Sequence, residues 1–158
     1  MKAKNKLEKE LKGLRRSFFV AFRGIKSCIL TERNMRIHLT VTTFVLLFSP
    51  FYDFSRTEYC LLALAIGSVI GMEIINTSIE TIIDMCAPAY SPAAKAAKDL
   101  AAGGVLVSAL AAATIGILLF WDMEAFYRIY SFFAAYPLAI AGVAALLVTG
   151  LVFIFEKK

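Results

Sequence analysis

An otherwise apolar run of 26 residues, Tyr59 to Asp84, carries Glu73, Asn76, Glu80 and Asp84 along a single line. At about 100° per residue, their offsets of 3, 7 and 11 confine these side chains to an arc of roughly 80°. As a helix the run measures about 39 Å, longer than the ~30 Å hydrocarbon core of a bilayer. Acids within such a segment cost on the order of 2.5–3.5 kcal/mol each, even by lenient insertion scales. A chain retains them only where something pairs with them, and the cheapest partner for carboxylates is a cation. The pattern predicts a membrane enzyme whose chemistry lies on one face of one spanning helix.

The remainder of the chain supports an integral membrane protein. Of its 158 residues 59% are apolar, against ~45–50% in soluble domains, and the mean hydropathy is +0.72. That length leaves room for one membrane domain and no second soluble one. No internal repeat is visible, which argues against transporters built from inverted halves. Charge is uneven: the first 36 residues hold 11 of the 17 Lys/Arg and only Glu8, Glu10 and Glu32 as acids, net +8 against −3 elsewhere. A basic head on an apolar body suits the cytoplasmic leaflet, where anionic lipids attract it, and argues against nucleic acid as a partner. Cys28, Cys60 and Cys86 lack metal-ligand spacing and read as small apolar packing residues. The N-terminus has the charge of a signal peptide without its short apolar core.

Residues 5 to 30 read as an amphipathic helix lying on the membrane surface. Leu7, Leu11, Leu14, Phe18, Phe22, Ile25 and Ile29 recur at steps of three and four, with Lys9, Lys12, Arg15, Arg16, Arg23 and Lys26 filling the other faces. A first span is predicted from about Ile37 to Tyr52, then a polar turn, Asp53 to Glu58, and the second span to Asp84. Gly67 and Gly71 form a GxxxG pattern that permits close approach of a neighbouring helix. Residues 85 to 97 read as a cytosolic loop because Pro88 and Pro92 break a continuous helix. A third span runs from about Pro92 to Trp121, its early turns lined by Ala101, Ala102, Gly103, Gly104, Ser108 and Ala112. Asp122 to Tyr136 reads as an outer connection, and Pro137 to Phe155 as a fourth span. The domain division is thus 1–36, a basic interfacial helix with a ligand segment; 37–121, a three-span core; and 122–158, the connection and extra span. Four spans put both termini in the cytosol and leave only Arg56 and Arg128 in the outer turns, as the positive-inside rule requires.

In that topology three polar groups meet at the cytoplasmic boundary. They are Thr31-Glu32-Arg33-Asn34 with Arg36, the acidic stripe, and Lys98-Asp99. Carboxylates together with phosphate oxygens make a hard-oxygen site suited to Mg²⁺, which takes few protein ligands and keeps waters. A lysine adds a point charge for phosphate, and a further, partly desolvated carboxylate can remove a hydroxyl proton. Metal, phosphate clamp and base are the parts of a phosphoryl-transfer site. There is no P-loop and no kinase glycine loop, so nucleotide would have to be held by other means. Taken singly the residues have plainer uses. Asn76 can serve as interhelical glue, Asp84 as a solvated helix end, His38 as a packing histidine, and Arg33 and Arg36 as anchors on lipid phosphate.

Glu73-Ile-Ile-Asn76-Thr-Ser-Ile-Glu80 with Asp84, followed by Ala97-Lys98-Asp99 and Val105-Leu106, resembles the small bacterial diacylglycerol kinases and undecaprenol kinases. Glu32-Arg-Asn34-Met-Arg36-Ile-His38 and the segment Ser91 to Gly103 resemble the Gram-positive branch in particular. The resemblance covers about residues 14 to 120. It implies an all-α homotrimeric kinase of the inner (plasma) membrane that phosphorylates a lipid alcohol with MgATP on the cytoplasmic side, its active sites shared between protomers. By position, Glu73 is implied as general base and Asn76 as its neighbour orienting the hydroxyl. Glu32 and Glu80 are implied as Mg²⁺ ligands, Lys98 as a phosphate contact and Asp99 as support at the nucleotide end. The branch likeness tilts the substrate towards undecaprenol over diacylglycerol. Two features depart from the pattern: the stretch Pro137 to Phe155 lies beyond the three-span form, and Ala89 and Ser91 stand where some relatives carry acidic or histidine side chains.

Two other classes compete with the kinase. An ion or proton transporter requires polar groups through a whole span, yet Leu61 to Val69 is almost wholly apolar. A non-catalytic assembly module would need the small-residue faces and leave the carboxylates superfluous.

Overall fold

The computed structural model describes residues 2–156 apart from 88 and 90, with side chains from residue 9 onward. It is all-helical, with six α-helices: α1 Lys2–Thr31, α2 Arg33–Phe48, α3 Arg56–Cys86, α4 Pro92–Phe120, α5 Met123–Ala135 and α6 Pro137–Phe155. A 3₁₀ turn, Ser49–Tyr52, follows α2.

Three of these helices, α3, α4 and α6, are long and apolar enough to cross a membrane. The first anticipated span, α2, has 16 helical residues, about 24 Å, because Pro50 turns the chain into the tighter 3₁₀ form before it ends at Asp53. Two other expectations need correction. The segment between α4 and α6 is not a plain connection but the 13-residue helix α5, started by Asp122, whose Oδ1 accepts from the amides of Glu124 and Ala125. The loop expected over 85 to 97 shrinks to residues 87–91, since α3 runs on to Cys86 and Pro92 sits at the first position of α4, where its missing N–H costs nothing. Pro88 and Tyr90 lie outside the described residues.

The α3–α4 hairpin is the spine of the molecule. Serine and glutamate form a capping box at its start: Ser55 Oγ accepts from the Glu58 amide at 3.3 Å, and the Glu58 carboxylate accepts from the Ser55 amide at 2.7 Å. Ser55→Ala is expected to cost about 1 kcal/mol, read as a lowered thermal midpoint in detergent. Leu62, Ala65 and Val69 of α3 are buried, as are the small Ala101 and Val105 of α4. Gly67 and Gly71, by contrast, face open space, so no helix among the described residues uses the close approach they permit.

Most large apolar side chains of α4 and α6 remain uncovered, among them Leu100, Leu106, Leu110, Leu118, Leu138 and Val152. Such continuous apolar surface is stable only against lipid or other protein. The stripe of α1 is likewise bare: Leu11, Leu14, Phe18 and Phe22 are all about half exposed or more. Only its last turns dock, with Cys28 buried against α3. Cys60 and Cys86 are exposed within the chain, so of the three cysteines only Cys28 packs as expected.

At the end of the bundle away from the acidic stripe, aromatic rings knit α2, α4 and α5 together. Tyr52 meets Phe120 at 4.6 Å, Phe51 meets Phe132 at 5.3 Å, and Phe54 meets Phe120 at 5.2 Å. Arg128 of α5 donates to the Phe51 carbonyl at 2.7 Å and pairs with Asp53 at 2.8 Å. Asp53 sits at φ +43°, a left-handed conformation that Asp tolerates better than most residues.

Candidate active site

Exposure rises steadily along the acidic face of α3. Glu73 is 1% exposed and Asn76 6%, Glu80 is partly exposed, and Asp84 is open to solvent. This gradient follows from the 1.5 Å rise per residue, which puts Glu80 about 10 Å further along the helix than Glu73. Neither carboxylate oxygen of Glu73 has a hydrogen-bond partner among the described residues. An orphaned buried carboxylate is costly, so a group held this way is kept for something other than stability. Asn76 turns towards the outer part of the stripe: its Nδ2 donates to Glu80 Oε1 at 2.9 Å, while its Oδ1 is buried without a partner among the described residues.

The elbow between α1 and α2 brings in the third carboxylate. Glu32 occupies the N-cap position of α2 in an extended conformation and makes no capping bond, so its carboxylate is not spent on the helix end. Glu32 and Glu80 both lie close enough to Glu73 to interact with it electrostatically. Glu73 therefore has one acidic neighbour on its own helix and one from the elbow.

Cys28 holds that elbow against α3. Its Sγ lies 3.2 Å from Thr77 Oγ1, and Thr77 Oγ1 donates to the Glu73 carbonyl at 2.9 Å. Burial pushes the Cys28 thiol above its ordinary pKa, so it remains a neutral S–H at neutral pH. Sequence reasoning gave Cys28 only a packing role and passed over Thr77. The available signals were the position of Cys28, one turn past Ile25 and one turn before Glu32, and that of Thr77, one turn past Glu73.

At the open end of the stripe, Lys98 of α4 donates to Asp84 of α3, which ties the two helices where they leave the apolar layer. Asp84 is thus an ion-pair partner and not merely a solvated helix end. Asp99 is not brought to the carboxylates; it pairs with Lys95 one turn back at 3.0 Å, both side chains more than 60% exposed. Such a surface pair contributes little to stability. A crevice of about 250 Å³ opens here between Asp84, Ser91, Lys95 and Lys98. Arg36, for which a lipid-phosphate anchor is the plainer reading, is folded inward onto the carbonyls of Ile29, Leu30 and Ile154.

Among the described residues no three His, Cys, Asp or Glu side chains stand as a ready metal cage. The donors present nonetheless suit a hard cation. Glu32 and Glu80 offer carboxylate oxygens, and a metal such as Mg²⁺ draws its remaining ligands from water and phosphate. Just deeper than Glu73, α2, α3 and α4 enclose an apolar cavity of about 220 Å³, bounded by His38, Thr42, Leu62, Val69, Ala109 and Gly116. Val69 lies one turn from Glu73 on the same helix. The site therefore joins a wet, charged mouth to a dry apolar recess, with an unpaired carboxylate between them.

Comparison with known proteins matches residues 19–120 to the family described as prokaryotic diacylglycerol kinase. The chain is 39% identical over 111 residues to an undecaprenol kinase of Bacillus subtilis, covering 70% of this chain and 90% of that one. It is 35% identical over 101 residues to a diacylglycerol kinase of Synechocystis, covering 63% and 58%, and 30% identical over 115 residues to a diacylglycerol kinase of Helicobacter pylori, covering 73% and 83%. No solved structure matches the chain.

Proposed function

We propose a substrate and a division of labour within the site from one premise: this chain belongs to the prokaryotic diacylglycerol kinase family and is a membrane lipid kinase. Its acceptor is a lipid alcohol, undecaprenol in our reading, converted to undecaprenyl phosphate at the expense of ATP. The observation that carries the assignment is Glu73, 1% exposed, with both oxygens unpartnered among the described residues, between the charged mouth and the apolar recess.

Glu73 is the general base. A hydroxyl entering from the bilayer would find its carboxylate free to accept the proton, while the apolar cavity past Val69 receives the adjoining hydrocarbon. Asn76 keeps Glu80 in place through Nδ2 and has its buried Oδ1 free to orient the acceptor hydroxyl. Glu32 and Glu80 would hold Mg²⁺, which when bound would supply charge neutralisation for the nucleotide phosphates. Lys98 contacts the phosphates and Asp99 supports the nucleotide end, beside the crevice bounded by Asp84 and Lys95. For Lys98 this requires exchanging Asp84 for phosphate, a modest cost at a partly exposed pair.

The basic segment 1–36 lies on the cytoplasmic leaflet, 37–121 forms the catalytic core, and 122–158 is an addition to it. In this reading α2 spans together with its 3₁₀ turn, both termini are cytoplasmic, and the chain assembles as a homotrimer whose subunits complete one another's sites. The bare apolar faces of α3 and α4 are suited to such assembly.

The B. subtilis undecaprenol kinase resembles this chain over nine-tenths of its own length, which favours the polyprenyl alcohol. A second reading, diacylglycerol as acceptor giving phosphatidic acid, is favoured by the likeness to the Synechocystis and H. pylori enzymes. Purified protein given labelled ATP and both alcohols in equal mole fraction in one bilayer is expected to label undecaprenol at least ~10-fold more, the discrimination that 1.4 kcal/mol of differential binding yields. Preferential labelling of diacylglycerol would select the second reading. No labelled lipid from any alcohol would remove both.

A further inference from the structure

The hairpin α5–α6 lies beyond the residues matched by the family, yet it is bound to α2 and to the 3₁₀ turn that follows it. At one end Arg128 of α5 grips the Phe51 carbonyl and Asp53, and Phe132 packs on Phe51. At the other end Arg36 of α2 donates to the carbonyl of Ile154 in the last turn of α6 at 3.5 Å. The same guanidinium donates to the carbonyls of Leu30 and Ile29, at 3.1 and 3.4 Å, which close α1. These are carbonyls that a helix C-terminus leaves without intrahelical partners, and a cation there also meets the negative end of the helix dipole. One side chain thus joins α1, α2 and α6, and it sits one turn from Glu32.

Between the two ends the helices touch closely at one point. A Cβ added at Gly150 of α6 would stand 2.6 Å from Thr40 Cγ2, while the distances to Thr40 Oγ1 and Cβ are 3.7 and 3.8 Å. Thr40 cannot turn aside freely, because its Oγ1 donates to the Arg36 carbonyl at 2.8 Å and a β-branched side chain has few helical rotamers. Glycine at 150 therefore sets how near α6 comes to α2.

We propose that the α5–α6 hairpin is a brace for α2, and that through the Gly150–Thr40 contact and the positioning residue Arg36 it sets where Glu32 stands against the carboxylates of α3. The physical need is plain. At 16 residues α2 is shorter than α3, α4 and α6, and its amino end carries Glu32 on an elbow. A short helix in lipid slides and tilts at small cost, fractions of a kcal/mol per Å. A ligand on its end would move with it. Bracing both ends against a longer neighbour removes that freedom. The role of Glu32 in this proposal rests on the reading of Glu32 as a metal-nucleotide ligand given above.

The test uses the full-length protein in lipid bilayers, with Cys60 and Cys86 replaced by serine and spin labels on cysteines introduced at the exposed Asn34 and Ser78. Gly150→Ala is expected to shift the distance between the labels by about 1–2 Å, the scale of helix displacements at packed interfaces. The same substitution without labels is expected to raise the KM for MgATP roughly 10-fold with little change in kcat. Thr40→Ala alone should leave both near wild type. The Gly150→Ala/Thr40→Ala pair should restore both, since the nearest remaining approach is then the 3.8 Å of an ordinary contact. Arg36→Gln should reproduce the distance shift without rescue by Thr40→Ala. An unchanged label distance in Gly150→Ala and Arg36→Gln overturns the brace. Glu32→Gln is the control on the premise: if it leaves the KM for MgATP unchanged while Gly150→Ala moves the labels, the brace stands and the ligand role of Glu32 falls.

Discussion

Glu73→Gln is expected to lower turnover about 10³-fold, within the range that a positioned general base contributes, while MgATP binding stays within about threefold of wild type. The replacement keeps shape and volume but removes the group that accepts the hydroxyl proton. Since neither oxygen of Glu73 has a protein partner among the described residues, the change breaks no existing hydrogen bond. Its effect on folding should be small for that reason, and thermal unfolding in detergent would show it. The informative measurement is single-turnover phosphorylation of the lipid alcohol beside nucleotide titration on the same preparation. Retention of wild-type turnover would mean that the base lies elsewhere. Loss of nucleotide binding together with turnover would instead make Glu73 part of the nucleotide site.

Glu80→Gln should separate the two properties the other way. Glu80 accepts from Asn76 Nδ2 at 2.9 Å on one carboxylate oxygen and stands partly exposed, the other oxygen without a partner among the described residues. The amide can still accept from Asn76 but no longer offers the charge that a divalent cation needs. Apparent affinity for Mg²⁺-nucleotide is expected to fall by at least the 10–100-fold that loss of a mere supporting partner costs at metal sites. Raised Mg²⁺ should recover part of the rate, which it will not do for Glu73→Gln. Isothermal titration with MgATP against ATP in chelator reads this directly. Equal affinity in wild type and variant would sink the ligand assignment for Glu80.

Both expectations depend on features of unequal visibility in the sequence. The stripe itself was fully legible, because helical periodicity alone puts Glu73, Asn76, Glu80 and Asp84 on one face. The order of their burial was legible too, since an apolar run longer than the hydrocarbon must end in water. Which partners each residue takes was not. Asp84 looked like a solvated helix end and is the counter-ion of Lys98, 14 positions away. Arg36 looked like a lipid anchor and closes three helix-end carbonyls, one of them 118 positions away. Asp99, implied at the nucleotide end by resemblance, takes Lys95 on its own helix as its partner. In each case the charge was predictable and the partner was not, because Coulombic attraction is indifferent to sequence separation.

Helix boundaries failed for a related reason. Asp122 to Tyr136 is rich in aromatics and short, so its apolar content read as a connection. Asp122 as a cap and the ring contacts of Phe126, Phe132 and Phe133 make it a helix. The short α2 was misjudged in the other direction. Its apolar pattern continues through Tyr52, while Pro50 and the left-handed Asp53 bend the backbone out of the α-helix after Phe48.

The sequence alone determined that the chain is helical and lives in a bilayer, and that four polar groups share one face of one of its longest helices, because solvent, helix period and chain length act locally. Only tertiary structure decided that Glu32 meets that face, that Cys28 and Thr77 seat the elbow beside Glu73, and that Gly150 and Arg36 join α6 to α2. Those are contacts between distant segments, and their geometry depends on how apolar helices pack, which no local pattern encodes.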